Sequence, residues 1–154
     1  MPLTGEPGIE CRSGGTNNDH TMIFAFANEL ISVEGATITS GTGTVGSSSI
    51  GADAHQYIVN LTGVGNAQTL TVALNGITDS IGNRSGSLAI NMGVLLGDTT
   101  ANTSVNSSDI SQTKSQSGQT VTGSNFRQDV TANGSINSSD ISLVKSKSGT
   151  ALLP

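Results

Sequence analysis

A duplicated segment in the last third of the chain constrains its folding more than any other feature. The segment "DTTANTSVNSSDISQTKSQSG" (residues 98–118) aligns with "DVTANGSINSSDISLVKSKSG" (residues 129–149) at a fixed offset of 31 residues. Identical residues occupy 15 of the 21 aligned positions. Such repetition indicates two copies of one structural unit rather than a composition-driven loop.

Each copy carries two aspartates placed as in a twelve-residue calcium loop. From Gly97 onward the acidic residues of the sequence are Asp98, Asp109, Asp129 and Asp140, which open and close the spans 98–109 and 129–140. Calcium loops of this length take ligands from positions 1, 3, 5, 7, 9 and 12. The spacing therefore predicts two Ca²⁺ sites with oxygen ligands only, as a hard cation requires. The predicted ligands are Asp98, Thr100, Asn102, the carbonyl of Ser104, Asn106 and Asp109 in the first loop, and Asp129, Thr131, Asn133, the carbonyl of Ser135, Asn137 and Asp140 in the second.

The two loops are not predicted to be equal. Position 6 requires a sharp turn, and Gly134 supplies it in the second loop, whereas the first loop has the β-branched Thr103. The second loop is therefore predicted to bind calcium more strongly. Because each loop has only two formal charges, we expect dissociation constants of about 10⁻⁶ to 10⁻³ M. At position 8, Val105 and Ile136 are expected to pack between the paired loops.

A short helix is predicted after each loop. The segments "SSDISQTKSQSG" and "SSDISLVKSKSG" are rich in serine and have poor helix propensity, so calcium binding is expected to hold them and to be linked to folding. Ser107 and Ser138 are the predicted N-caps, and Gly118 and Gly149 are expected to end the helices.

The loop spacing, with Asp at position 12, resembles type I dockerin modules over residues 96–151. These are small calcium-dependent modules of bacterial secreted enzymes that bind cohesin domains. The resemblance implies a cohesin-like partner that contacts loop positions 10 and 11 and basic residues of the following helix. The corresponding residues here are Ser107, Ser108, Lys114, Ser138, Ser139 and Lys145.

The N-terminal half has the pattern of a β-rich domain. Short apolar alternations such as "TMIFAFA" (residues 21–27) and "QYIVNLTGV" (residues 56–64) are separated by Gly, Asn and Ser, which predicts five to seven strands in an antiparallel β-sandwich. The phrase "LNGITDSIGN" (residues 74–83) resembles bacterial immunoglobulin-like domains. The predicted fold is thus mainly β, with an Ig-like β-sandwich in residues 1–95 followed by a small α-helical, duplicated calcium-loop module in residues 96–154.

Composition excludes several functions. A net charge of −5 with only six basic residues leaves no patch for nucleic acid, and no apolar run is long enough for a membrane span. No Trp and one Tyr make a sugar platform, and with it a small-molecule substrate, improbable. Cys11, the single cysteine, is expected to be an unreactive small residue rather than a nucleophile. Asp53 with His55 could be drawn as part of a hydrolase triad, but the sequence has no Gly-x-Ser-x-Gly motif to complete it.

We therefore predict a noncatalytic attachment or assembly region of a secreted bacterial protein, extracellular or at the cell surface, and expect the chain to be part of a longer protein. An alternative is a calcium-stabilised stalk or terminal cap that packs on its own β-sandwich. A third possibility is that the chain is a fragment of a polysaccharide-degrading enzyme. Catalysis would then reside elsewhere in the parent chain, because this sequence offers no paired carboxylates for glycoside hydrolysis.

Overall fold

Strands dominate the N-terminal part of the chain and two helices lie near its C-terminus. The computed structural model describes residues 7–153, within which the elements are β1 (Ile9–Glu10), β2 (His20–Ala25), β3 (Leu30–Ser32), β4 (Gly35–Ser40), β5 (Thr44–Ile50), β6 (Gln56–Thr62), β7 (Gln68–Asp79), β8 (Arg84–Val94), α1 (Ser107–Ser115) and α2 (Ser138–Lys147). Two 3₁₀ turns cover Gly15–Asn17 and Phe126–Gln128. The protein is mainly β, as predicted.

The contacts divide the chain into two compact units. The first includes Asn17–Gly65 and Leu70–Met92, and the second includes Gly8–Thr16, Asn66–Thr69 and the segment from Gly93 onward. The predicted division between residues 95 and 96 stays a prediction. In the structure, two short segments from the N-terminal half group with the C-terminal unit.

Two antiparallel sets of strands form the first unit. Strand β6 lies between β2 and β5, with Ile23 opposite Ile58 and Ser48 opposite Val59. Strand β7 lies between β8 and the β3 and β4 strands. Alternate residues are buried because successive side chains point to opposite faces of a strand, as Tyr57, Val59 and Leu61 show in β6.

One pair of strands departs from the antiparallel arrangement that the sequence pattern predicts. Strand β1 pairs with the end of β8 in parallel, in the register Ile9–Gly93 and Glu10–Val94. Strands β1, β3 and β5 were also absent from the sequence pattern, since β1 and β3 are only two and three residues long and β5 is rich in exposed serine.

The second unit has a small apolar core of its own. Leu95, Val105, Val130 and Val144 are buried together, and Ile9, Ile110, Leu143 and Leu152 are among the partly buried residues that pack around them. Helix α2 contributes Val144, while α1 contributes Ile110 and buries Thr113, whose hydroxyl donates to the carbonyl of Asp109 at 2.8 Å. Apolar packing therefore supports helices whose intrinsic propensity is poor.

Candidate metal centre

The first loop, residues 98–109, is organised around two aspartates that are completely buried. Asp98 Oδ1 and Oδ2 accept hydrogen bonds from the amides of Asn102 (3.1 Å) and Thr103 (2.9 Å). Asp109 Oδ1 accepts from the amide (3.0 Å) and the hydroxyl (2.9 Å) of Thr100, and its Oδ2 accepts from the amide of Asn106 at 2.8 Å. The first and last positions of the loop are thus fixed by the main chain between them.

The second loop, residues 129–140, repeats this arrangement almost bond for bond. Asp129 accepts from the amides of Asn133 (3.1 Å) and Gly134 (2.8 Å). Asp140 accepts from the amide (2.9 Å) and hydroxyl (2.8 Å) of Thr131 and from the amide of Asn137 at 2.9 Å. Asp140 has no exposed surface and Asp129 is 5% exposed. The sequence repeat therefore corresponds to a repeat of geometry.

The oxygens of the first loop fit a hard divalent cation. Thr100 Oγ1 lies 3.4 Å from Asp98 Oδ1 and 2.9 Å from Asp109 Oδ1, so the side chains of positions 1, 3 and 12 converge. Around a calcium ion with oxygens at 2.3–2.6 Å, neighbouring ligand oxygens lie roughly 3 Å apart. The carboxylates of Asp98 and Asp109 are both buried. Burial of charged groups is costly unless the charge is compensated, and a bound cation would supply that compensation.

The metal loops do not contain a dense cluster of ionisable ligands. Within residues 7–153, no three side chains of His, Cys, Asp or Glu come together, because each loop contributes two carboxylates and completes its set with hydroxyl and amide oxygens. Calcium tolerates such neutral oxygens, but its affinity falls as the ligand charge falls.

Position 9 has a role in the helices that the sequence pattern did not predict. The side-chain oxygens of Asn106 and Asn137 accept from the amides of Ser108 and Ser139 at 2.8 Å and are the N-caps of α1 and α2. The prediction that Ser107 and Ser138 cap the helices is wrong, since these serines are the first residues inside the helix. Because helix amides already occupy these amide oxygens, the contribution of position 9 to a metal is expected to pass through water.

The position 12 aspartates also belong to the helices. In both copies the position 9 amide oxygen accepts from the backbone at the third helical position, and the aspartate there accepts from the backbone of the cap, which completes a capping box. Asp109 and Asp140 therefore couple the loop to the helix that follows. An Asn three residues before an Asp is the sequence signal that could have identified these caps.

Position 5 differs between the copies. Asn102 Oδ1 accepts from both the amide and the hydroxyl of Ser104 at 3.0 Å. Asn133 Oδ1 accepts from the amide of Ser135 at 3.0 Å. A side-chain amide oxygen has two lone pairs, so Asn133 retains acceptor capacity that the Ser104 hydroxyl uses in the first loop.

Position 6 has a left-handed backbone in both loops. Gly134 has φ = +84° and Thr103 has φ = +69°. Thr103 therefore adopts the conformation that a β-branched residue resists, which places backbone strain in the first loop. The amides of both residues donate to the position 1 aspartate, so the turn is required for that contact.

The position 8 residues Val105 and Ile136 are buried, while the prediction that their side chains tie the paired loops together stays a prediction. Val105 exchanges backbone hydrogen bonds of 2.8 Å with Thr150 and Gly149, which follow α2, and the carbonyl of Ile136 accepts at 2.8 Å from Gly118, which follows α1. Each loop therefore pairs with the segment after the other copy's helix.

The predicted partner-binding residues share one property, which is exposure. They lie at corresponding places on the first turn and on the body of each helix: Ser107, Ser108, Lys114, Ser138, Ser139 and Lys145. Two equivalent surfaces are thus open to a partner, while their role in binding stays a prediction.

The catalytic alternative has no structural support around His55. His55 Nδ1 lies 2.9 Å from Asp53 Oδ1, and the backbone amide of His55 donates to the same oxygen at 3.0 Å, which lowers the pKa of Asp53. Both side chains are about half exposed in a turn, and among the described residues no hydroxyl donates to His55. The pair is a turn feature.

Within residues 7–153, no helix is long and apolar enough to cross a membrane.

A family model agrees with the geometry of the C-terminal unit. The dockerin type I domain model matches residues 96–147. This match supports a noncatalytic, calcium-binding module for protein docking in that segment. No family model supports the predicted Ig-like domain, which stays a prediction. No curated protein and no solved structure matches the chain.

Proposed function

We propose that residues 96–154 form a calcium-dependent docking module that attaches its parent protein to a cohesin-type partner, and that residues 1–95 form a separate β-rich domain. The observation that carries this proposal is the pair of loops with buried aspartates at positions 1 and 12, closed by the same hydrogen bonds in both copies. The dockerin match over residues 96–147 supports it.

The chemistry proposed for calcium is charge neutralisation and folding. The ion would be held by the side chains of positions 1, 3, 5 and 12 and the position 7 carbonyl, with position 9 acting through water. The chain's own residues hold the loop: the amides of positions 5 and 6 orient the first aspartate, and the capping box orients the last. Because the position 12 aspartate is part of the capping box of a helix, ion binding would also order α1 or α2.

The two docking surfaces are proposed to be equivalent. The serine pair and the lysine occupy the same helical positions in both copies, so either copy could face a partner. Cohesin recognition, secretion by a bacterium and an extracellular or cell-surface location are parts of this proposal, as is the stronger affinity of the second loop.

Calcium titration by calorimetry tests the metal sites. The wild type is compared with Asp98→Ala and Asp140→Ala, and Asp53→Ala, which removes an exposed carboxylate outside the loops, is the matched control. The proposal expects two binding events, one lost in each loop variant and both retained in the control. A single event, or events indifferent to both loop variants, would contradict it.

A binding assay with cohesin domains tests the docking function. Replacing Ser107 and Ser108 alone, or Ser138 and Ser139 alone, with Asp is expected to leave one surface and retain binding, whereas the quadruple variant is expected to lose it. Binding that persists in the quadruple variant would contradict these surfaces. Failure of every cohesin to bind the calcium-loaded wild type would favour the alternative of a stabilising cap.

A further inference from the structure

Arg127 reaches from the segment before the second loop to the start of the first. Its Nε donates to the carbonyl of Thr99 at 3.0 Å, and its Nη2 donates to the carbonyl of Asp98 at 2.6 Å. Its Nη1 donates to the carbonyl of Ile9 at 2.8 Å. All three acceptors are main-chain carbonyl oxygens, and two of them belong to positions 1 and 2 of the first loop. The planar guanidinium therefore fixes two consecutive peptide groups there.

The third acceptor connects the loop entry to a strand distant in sequence. Strand β1 and the residues after it are held within the same unit, because Leu95 donates to the carbonyl of Glu10 (3.0 Å) and Gly97 donates to the carbonyl of Cys11 (2.9 Å). The amide of Ser13 donates to the carbonyl of Val130 at 2.6 Å. Residues 9–13 therefore contact the segment that enters the first loop and also position 2 of the second loop, and Arg127 connects Ile9 to the first loop.

The second loop is held differently: the carbonyl of Val130, which corresponds to that of Thr99, accepts from the backbone amide of Ser13 at 2.6 Å. The 31-residue offset that relates the copies places Leu96 at the position of Arg127, so the arginine lies outside the symmetry of the repeat. The first loop is also the one in which position 6 is strained, since Thr103 has φ = +69°. The guanidinium contact is thus made with the loop whose own sequence is less suited to the turn.

We propose that Arg127 is a positioning residue for the first metal loop, which it preorganises by fixing the peptide groups of Asp98 and Thr99 against residues 9–13. The expected effect on calcium affinity rests on the proposed calcium function. The expected effect on the metal-free loop does not, because Arg127 is proposed to position the loop without metal as well. Partners that orient the ligands of a metal site influence affinity by about 10–100-fold when they are replaced.

The charge of Arg127 opposes this effect, so the test must separate the two. A guanidinium near a cation site repels the ion, and removing the charge alone would strengthen binding. Arg127→Lys keeps the charge but loses the planar fork, and Arg127→Met removes the charge but keeps an apolar stem. Preorganisation expects weaker binding in both variants, whereas a purely electrostatic role expects no change for Lys and tighter binding for Met.

Calcium affinity is measured in two backgrounds that isolate the loops. With Asp140→Ala only the first loop is expected to bind, and with Asp109→Ala only the second. We expect Arg127→Lys to weaken the first site about 10–100-fold and to leave the second within about twofold. An equal loss at both sites indicates general destabilisation and overturns the proposal, as does an unchanged first site.

Hydrogen exchange in chelator gives a readout that needs no metal. The amides of Asn102 and Thr103, which donate to Asp98, are expected to exchange faster in Arg127→Lys, while those of Asn133 and Gly134 in the second loop stay as in the wild type. Equal exchange in both loops overturns the proposal. If the wild type binds no calcium, the proposed function fails, yet this measurement still decides the role of Arg127.

Discussion

The amide of Gly149 donates a 2.8 Å hydrogen bond to the carbonyl of Val105, and Gly118 donates the same bond, also 2.8 Å, to Ile136 in the other copy. Two isolated β-bridges follow the same pattern, because Ser104 pairs with Ala151 and Ser135 pairs with Thr120. Each loop is therefore completed by residues that follow the other copy's helix. The two copies are thus joined by reciprocal backbone hydrogen bonds.

Truncation tests this exchange. Removing residues 149–154 deletes the backbone partners of Val105 and also the Leu152 amide that donates to Thr103 at 2.9 Å, so we expect the first loop and α1 to lose order although their own sequence is intact. Loss of three net hydrogen bonds corresponds to about 1.5–4.5 kcal/mol of the free energy of unfolding. Urea unfolding in chelator measures the loss. Removing only residues 153–154 is the control, because Leu153 is 82% exposed, and an equal loss in the control would contradict the exchange.

The sequence predicted the loops better than it predicted what surrounds them. The positions of Asp98 and Asp109 follow from local spacing, and the structure brings them to one hydroxyl, that of Thr100. The role of Arg127 and the grouping of residues 8–16 with the C-terminal unit depend on contacts between segments far apart in sequence, for which the chain has no periodic signal. Strand β5 was missed because its "GSSSI" segment lacks the apolar alternation that marks a strand.

The helix caps yield a prediction that separates folding from metal binding. Asn106→Ala and Asn137→Ala each remove an amide oxygen that accepts from the first helical turn, so each is expected to lower the free energy of unfolding by about 1 kcal/mol in chelator. Asn106→Asp keeps an acceptor and adds a charge to the loop, so it is expected to retain stability without metal and to raise calcium affinity. Urea unfolding with and without calcium measures both. Unchanged stability in the Ala variants would show that the caps are dispensable.

The residues at position 6 can be exchanged between the loops. Gly134→Thr forces a β-branched residue into φ = +84° and is expected to destabilise the protein by about 1–2 kcal/mol. A Cβ at this position meets no atom within 4 Å, so the expected cost comes from the backbone conformation. Thr103→Gly relieves the same strain but increases the entropy of the unfolded chain, and we expect a gain below about 1 kcal/mol. Urea unfolding in chelator measures both variants. A Gly134→Thr protein as stable as the wild type would contradict the argument.

Cys11 provides a prediction about alkaline stability. Burial raises the pKa of its thiol from 9.0 to about 12, and the positive charge of Arg127 only partly opposes the rise. Below pH 9 the thiol is protonated in both the folded and unfolded states. Between pH 9 and 12 the unfolded chain loses the proton while the folded protein keeps it, so the free energy of unfolding falls by roughly 1 kcal/mol per pH unit as pH rises.

The measurement is a set of urea unfolding curves from pH 8 to 11 for the wild type and Cys11→Ala. Removal of the side chain is expected to lower stability at pH 8, because Cys11 is 1% exposed and its Sγ lies 3.5 Å from the carbonyl of Arg127. The other ionisable groups are common to both proteins, so only the difference between the two curves reports on Cys11. That difference is expected to shrink as pH rises above 9, because the wild type alone loses the contribution of a buried neutral thiol. A difference that stays constant to pH 11 would show that the thiol is accessible to deprotonation in the folded protein.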